Sequence, residues 1–290
     1  MTIDEKLAAI LAAVQTDPGN RGLARDPHDN LFTATAGDFE KACHGIADAL
    51  EPSVAVVTGF YIPTASPPAF ETDGPLGAVF LRRALVSLDI PCSVRGEPPI
   101  QKSIRAADAA IQFAPLEVLP WRETHVVWVE RAGPAADGCH YTMRGRDISA
   151  HLGQVNRQHH EIEDWQCDDT IGIGDGGNEI GMGKIPHETI VKNISNGDLI
   201  HCRVPTDHLI VAGVSNWGAY ALAAGVYVLR GVKPPADLFD PDREREILEV
   251  MVKEGPLVDG VTGKQTATVD GLPWDEYAAT LIRIREILKS

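Results

Sequence analysis

No two cysteines of this chain stand at C-x-x-C spacing: Cys43, Cys92, Cys139, Cys167 and Cys202 are five scattered residues in 290. An odd count at wide separation supports neither a disulfide framework nor a zinc site, and is the usage expected of a reducing cytoplasm. Basic charge is scarce as well, with 26 Lys and Arg against 41 Asp and Glu and a net charge of −15. That balance argues against nucleic acid or an anionic membrane as a partner, although it leaves room for a local basic pocket. The longest nearly uninterrupted apolar run, Trp217 to Leu229, is too short to span a bilayer and is rich in small residues suited to a core. The N-terminal MTIDEKLAAILAAV has acids where a signal peptide has a basic start, and reads as an amphipathic helix. Also missing are G-x-S-x-G for a serine hydrolase, the Gly-Lys-Ser/Thr of a P-loop, and H-E-x-x-H. His159-His160 with Glu161 and Glu163 then reads as the solvated face of a polar helix. What remains is chemistry carried by carboxylates and a hard cation.

The rest of the composition, 44% apolar and 23% charged, is that of an ordinary soluble globular protein, read as one α/β domain over residues 1–290. Ser53 to Phe60, Ile90 to Arg95, His125 to Glu130, Thr170 to Ile173 and His208 to Gly213 are short apolar runs without polar alternation. Such runs mark strands buried on both faces of a parallel sheet. Between them the pattern predicts helices over Asp38 to Leu50, Gly77 to Leu88, from Gln101 toward Pro115, Ser149 to Trp165, Pro186 to Ile194 and Trp217 to Leu229, with two more over Arg243 to Glu254 and Asp275 to Lys289. Asp17 to Asn30 and the Gly/Thr-rich stretch after Glu254 read as connections. Strand and helix in alternation imply a mostly parallel sheet with helices on both faces, a Rossmann-like three-layer arrangement.

Ligands of such sheets bind outside the carboxyl ends of the strands. Four loops rich in acids and glycine sit there: Glu71-Thr72-Asp73-Gly74-Pro75, Glu130-Arg131, Gly174 to Glu179, and Ser215-Asn216-Trp217-Gly218. Asp175, Asn178 and Glu179 offer oxygen donors of the kind magnesium or manganese prefers, or else form an Asx turn that caps the next element. Glu71 and Asp73 are close enough to share a proton or a cation, but Asp73 before Pro75 also has the look of an N-cap. Glu130 closes an apolar strand, either at the sheet rim or aimed into the crevice. Arg131, Arg144 and Arg146 are suited to an anionic substrate or are merely solvated. Gly172, Gly174 and Gly177 match G-x-G-x-x-G in outline, although Asp175 would repel a pyrophosphate there.

GDGGNEIGMGKIP at Gly174 to Pro186 is the most specific string in the chain. With ETDGPLGA at Glu71 to Ala78, VERAG at Val129 to Gly133, MRGRDIS at Met143 to Ser149 and VSNWGAYAL at Val214 to Leu222, it resembles the C-terminal domain of D-glutamate cyclases and their stand-alone prokaryotic relatives. The resemblance implies an enzyme, a carbon-oxygen hydro-lyase that converts D-glutamate to 5-oxo-D-proline and water with a divalent metal, Mn or Mg. It implies metal ligands Glu130, Asp175, Asn178 and Glu179, and Glu71 or Asp73 as base and then acid. Arg131, Arg144, Gly176, Gly177, Ser215 and Asn216 are the implied substrate contacts. The two-domain cyclases also carry an N-terminal hydro-lyase-like domain that is not within these residues. A manganese-dependent phosphatase, which needs nearly the same equipment, and a metal- and metabolite-binding module without catalysis are the alternative readings. A homo-oligomer is left open.

Overall fold

The computed structural model describes residues 1–109, 111, 123–152 and 167–290. Along the chain run α1 (Ile3–Val14), α2 (Leu31–Ala34), α3 (Asp38–Asp48), β1 (Val54–Gly59), β2 (Tyr61–Ile62), β3 (Ala69–Phe70), α4 (Pro75–Val86), β4 (Cys92–Arg95), α5 (Pro98–Ala107) and β5 (His125–Arg131). They are followed by β6 (Asp169–Gly174), α6 (His187–Asn193), α7 (Gly197–Ile200), β7 (His208–Val211), α8 (Ser215–Arg230), α9 (Pro241–Glu254) and α10 (Trp274–Lys289). Five strands pair in parallel in the order β4-β1-β5-β6-β7, while β2 and β3 form a small antiparallel ribbon beyond the end of β1. With helices around the sheet, this is the three-layer α/β architecture that the strand patterns imply.

Burial explains why those strands lack polar alternation. Val54 and Val56 of β1 and Val127 and Val129 of β5 pack into the main core, whereas Ala55, Val57, Val126 and Trp128 point the other way into a second cluster with Ile180. Both faces are covered, so both sets of positions are apolar. The main core is centred on α8, which is buried from Ser215 through Tyr227 and packs against α1, α3, α4 and α10. A helix apolar on every side is a helix with no solvent face. Gly225 permits the approach of α3: a Cβ there would lie 2.3 Å from Cys43 Sγ. All five cysteines are free, and no helix among the described residues is long and apolar enough to cross a membrane.

The strand order fixes where a ligand can enter. From β1 the chain turns to β4 on one side and then crosses to β5 on the other, so the winding reverses between β1 and β5, and the crevice lies beyond their carboxyl ends. Some boundaries differ from the sequence expectation. Ser215 and Asn216, expected in a turn, are the first residues of α8, and Ser195 to Asp198, expected to stop a helix, lead into α7. Of the helix expected over Ser149 to Trp165, a 3-10 turn at Ser149–His151 is described. His159, His160, Glu161 and Glu163 lie outside the described residues, as does most of the stretch between α5 and Pro115.

Candidate functional site

A cavity of about 280 Å³ opens at this crevice, lined by Arg21, Glu71, Glu130, Asp175, Asn178 and Asp270 within, by Phe60, Ile62, Pro63, Met143 and Val261 along its apolar sides, and by exposed Arg144 and Arg146. Each acid arrives by a different local device. Glu130 is the extra residue of a bulge: β1 and β5 pair Thr58 with Val129 and then Gly59 with Arg131, and Glu130 itself has φ +46°. A left-handed glutamate is rare and breaks the alternation of the strand, turning its carboxylate into the crevice. Ser215 Oγ donates to Glu130 Oε2 at 2.5 Å and holds it there.

Arg131 is drawn out of the site by the same bulge. It is fully buried and forks onto both oxygens of Glu97, the N-cap residue of α5, at 2.8 Å each, with Nη1 also donating to the carbonyl of Gly59. Its guanidinium is committed to the ion pair with Glu97 and is not among the groups that line the cavity, where it was expected to meet substrate. Arg144 stays exposed at the cavity, with Nη2 only 3.5 Å from the carbonyl of Val261.

Two of the expected substrate contacts on α8 also have internal duties. Ser215 and Asn216 donate their backbone amides to the Asp73 carboxylate at 2.9 and 2.8 Å, and Asn216 Oδ1 accepts from Gly74 and Gly77 at 2.9 and 2.7 Å. Asp73 is therefore an N-terminal cap, but of α8 rather than of the Pro-started α4. Glu71, with its neighbour Phe70 in β3, lies on the cavity wall instead, where Gly260 packs so closely that a Cβ would fall 1.6 Å from Glu71 Oε2.

The glycine-rich loop after β6 is a series of turns, with the next helix beginning only at His187, so no helix N-terminus waits for a dinucleotide phosphate. Glu179 folds back within it, accepting from Gly177 at 2.8 Å and from Asp175 at 3.4 Å, and Gly177 holds φ +100°. The amide of Gly177 is thus spent on Glu179, and neither it nor Gly176 lines the cavity. Asp175 and Asn178 do. Asn178 Nδ2 donates to the carbonyl of Tyr141, while its Oδ1 is buried without a partner.

Two further contributors, Arg21 and Asp270, belong to none of the four loops at the strand ends. Arg21 comes from the connection after α1, where Asp17 accepts from the amides of Arg21, Gly22 and Leu23 and shapes the turn. Its guanidinium reaches Asp175 Oδ2 at 2.5 Å and Asp270 Oδ1 at 2.9 Å. Asp270, at φ +56°, comes from the loop before α10. Buried Asp259 ties that loop together by accepting from the amides of Val261, Thr262 and Gly271 and from the hydroxyl of Thr268. The only sequence signal for Asp270 is Asp-Gly, an ordinary turn pair; Arg21 has none.

Six carboxylates, Glu71, Asp73, Glu130, Asp175, Glu179 and Asp270, are thus gathered with none more than 8% exposed. Burial, and then the charge of neighbouring carboxylates, pushes Glu71 and Glu130 well above the usual carboxylate range, and burial does the same to Asp175 against the pull of Arg21. Burial and Asp270 push Asp73 up to about 7, against the opposing pull of the Asn216 and Ser215 amides. Arg21 stays charged because Asp175, Asp270 and Glu130 outweigh the burial that acts against it.

A model of the D-glutamate cyclase-like, C-terminal family matches residues 10–285. The chain belongs to that family. It is 29% identical over 329 aligned residues to the human protein named D-glutamate cyclase, mitochondrial, an alignment that takes in 98% of this chain and 52% of the human protein. The family domain seen here therefore spans about half the length of that relative.

Its donor set fits a hard divalent ion. Ligand atoms of Glu130, Asp175 and Glu179 lie within 4.8 Å of one another, and the unpartnered Oδ1 of Asn178, a residue of the cavity wall, stands near Glu179 Oε1. A buried amide oxygen without a donor is costly unless something positive meets it, and all-oxygen donors select magnesium, manganese or calcium rather than soft metals.

Proposed function

We propose that this domain closes D-glutamate to 5-oxo-D-proline with loss of water, using a divalent ion, manganese or magnesium, at Glu130, Asp175, Asn178 and Glu179. The polarity of the cavity carries this reading: an acid floor meets an ammonium group, and the exposed guanidinium groups of Arg144 and Arg146 meet a carboxylate. The family match and the name of the human relative support it.

During ring closure the substrate nitrogen gives up two protons and the departing carboxyl oxygen takes up two. One carboxyl group within reach of both atoms can carry them. Glu71 suits that role, because it faces the cavity and has a raised proton affinity, which makes it a stronger base when ionised and a proton reservoir when not. Asp73 stands behind it, its carboxylate fixed by the α8 amides. Arg144 and Arg146 orient the α-carboxylate, while Phe60, Ile62 and Met143 exclude water from the folded-back side chain. A bound divalent ion would supply the Lewis acidity that a carboxylate needs to become an electrophile.

The phosphatase reading uses the same ion and arginines but needs a dianion to approach the acid floor, whereas an amine is attracted to it. Purified protein incubated with D-glutamate or L-glutamate, with manganese, magnesium or a chelator, is assayed for 5-oxoproline by chromatography. Metal-dependent product from D-glutamate is expected. Phosphate release from phosphomonoesters without any 5-oxoproline would overturn the proposal in favour of a phosphatase, and D-glutamate binding without turnover in favour of a binding module.

A further inference from the structure

The acids of the cavity form two overlapping triads. Asp73, Asp175 and Asp270 make one and Glu130, Asp175 and Glu179 the other, with ligand atoms in each within 4.8 Å of one another and Asp175 common to both. Two triads sharing a carboxylate are the framework of a two-metal site, in which bridged ions stand about 3.5–4 Å apart. Here the halves differ in one respect. The Arg21 guanidinium occupies the first, bridging Asp175 Oδ2 and Asp270 Oδ1 while Nη1 also donates to the carbonyl of Gly213. Apart from the bond of Arg21 to the shared Asp175, the second contains no guanidinium bond among the described residues, and the unpartnered Oδ1 of buried Asn178 stands near its Glu179 Oε1, a Cβ on Gly176 meeting the two oxygens at 2.7 and 2.8 Å. On the first side the other oxygen of Asp270, Oδ2, is also buried and unpartnered, so that half retains unused donor capacity.

We infer that Arg21 is a resident cation standing where the second ion of a two-metal site would stand, so that the domain takes one exchangeable divalent ion, at Glu130, Asp175 and Glu179, and no more. The inference rests on the metal reading above. Arginine is suited to the place in a way lysine is not: it stays charged in any protein environment, and its planar fork meets two carboxylates at once. Fixing one of two cations in the chain keeps Asp175 oriented before any ion arrives. It also limits how much positive charge can gather at the acid floor, which preserves the attraction for an amine.

Calorimetric titration of the 290-residue protein with manganese chloride, backed by manganese electron paramagnetic resonance, tests this. The wild type is expected to bind one ion per chain, and Arg21→Met two, with the broadened spectrum of two neighbouring manganese ions. Arg21→Lys is expected to keep a stoichiometry of one. Asp270→Asn, which removes the charge of one of the two carboxylates that hold Arg21, is expected to leave the stoichiometry at one, and abolished binding there would make Asp270 a ligand of the exchangeable ion and overturn the inference. One ion in both the wild type and Arg21→Met would overturn the inference and leave the metal reading standing. Two ions in the wild type would also overturn it, and no ion in the wild type would overturn both. Should Arg21→Met fail to fold, Arg21→Gln takes its place, two ions per chain supporting the inference and one ion overturning it.

Discussion

Asp73 and Asn216 cap each other's helices: the Asp73 carboxylate takes the first amides of α8, and the Asn216 side chain, from α8, takes the Gly74 and Gly77 amides at the start of α4. The exchange welds two helix N-termini at the crevice and sets the backbone of the Glu71 loop relative to Glu130. Removing Asn216 Oδ1 orphans the buried Gly77 amide and leaves that of Gly74 only its 3.0 Å bond to Asp73 Oδ1. Asn216→Ala is expected to cost about 2–4 kcal/mol of stability, the sum of a lost cap and an unsatisfied amide. Urea denaturation reads this directly, and a loss below about 1 kcal/mol would mean that water or a neighbour takes the amides.

Arg131 and Arg144 should separate cleanly. Arg131→Ala leaves Glu97 buried without its cation, for an expected loss of about 3–5 kcal/mol in stability. Arg144→Ala is exposed and should leave stability unchanged while raising KM for D-glutamate roughly tenfold, as expected when a charge-assisted contact of about 1.4 kcal/mol is lost. Denaturation and steady-state kinetics on both variants provide the check, and a stable Arg131→Ala protein with a raised KM would reverse the assignment.

These two arginines also show how far the sequence can be read. The inner strands β1 and β5 were legible because each is buried throughout on both faces and therefore written as a run of apolar residues without polar alternation. The crevice was legible because a parallel sheet puts its loops at one edge. Which of two adjacent side chains enters that crevice was not. A single left-handed residue at Glu130 rotates the glutamate inward and leaves Arg131 in the strand, and nothing local announces a bulge before a charged pair. Arg21 and Asp270 were illegible for another reason. Arg21 meets Asp175 across 154 residues of chain, and a turn rich in Pro, Gly and Asp looks the same whether or not its arginine has a destination.

With the divalent ion proposed for Glu130, Asp175, Asn178 and Glu179, binding should strengthen with pH. Folding raises the proton affinity of Glu71, Glu130 and Asp175 and brings Asp73 to about 7, so between the ordinary carboxylate range and pH 7 the folded state holds more protons than the unfolded. Stability without metal accordingly falls as pH rises through that window. An ion must displace those protons, so its affinity rises over the same interval. Thermal shifts with and without manganese from pH 6 to pH 8 are expected to diverge with rising pH, approaching about 2.7 kcal/mol of stabilisation at a hundredfold excess over Kd. Curves that stay parallel would show that the ion displaces no protons.

Away from the cavity, Glu244 on α9 is fully buried, its Oε1 2.5 Å from Arg83 Nη1 and its Oε2 without a partner. Burial pushes it up to about 7 from 4.5, since Arg83 offsets only part of the cost. The folded state keeps this proton over a range where the unfolded state has lost it, so the group makes stability fall as pH climbs from about 4.5 to 7. The fall is about 3 kcal/mol, since each tenfold gain in proton affinity on folding is worth about 1.4 kcal/mol. Glu244→Gln keeps an acceptor for Arg83 and removes the charge. Relative to the wild type it should therefore gain stability between pH 5 and pH 8 by about that amount. Taking the difference between the two proteins cancels the carboxylates of the cavity, which titrate in the same window in both. Urea denaturation at the two pH values measures it, and identical pH profiles for wild type and variant would show that Arg83 holds Glu244 ionised throughout.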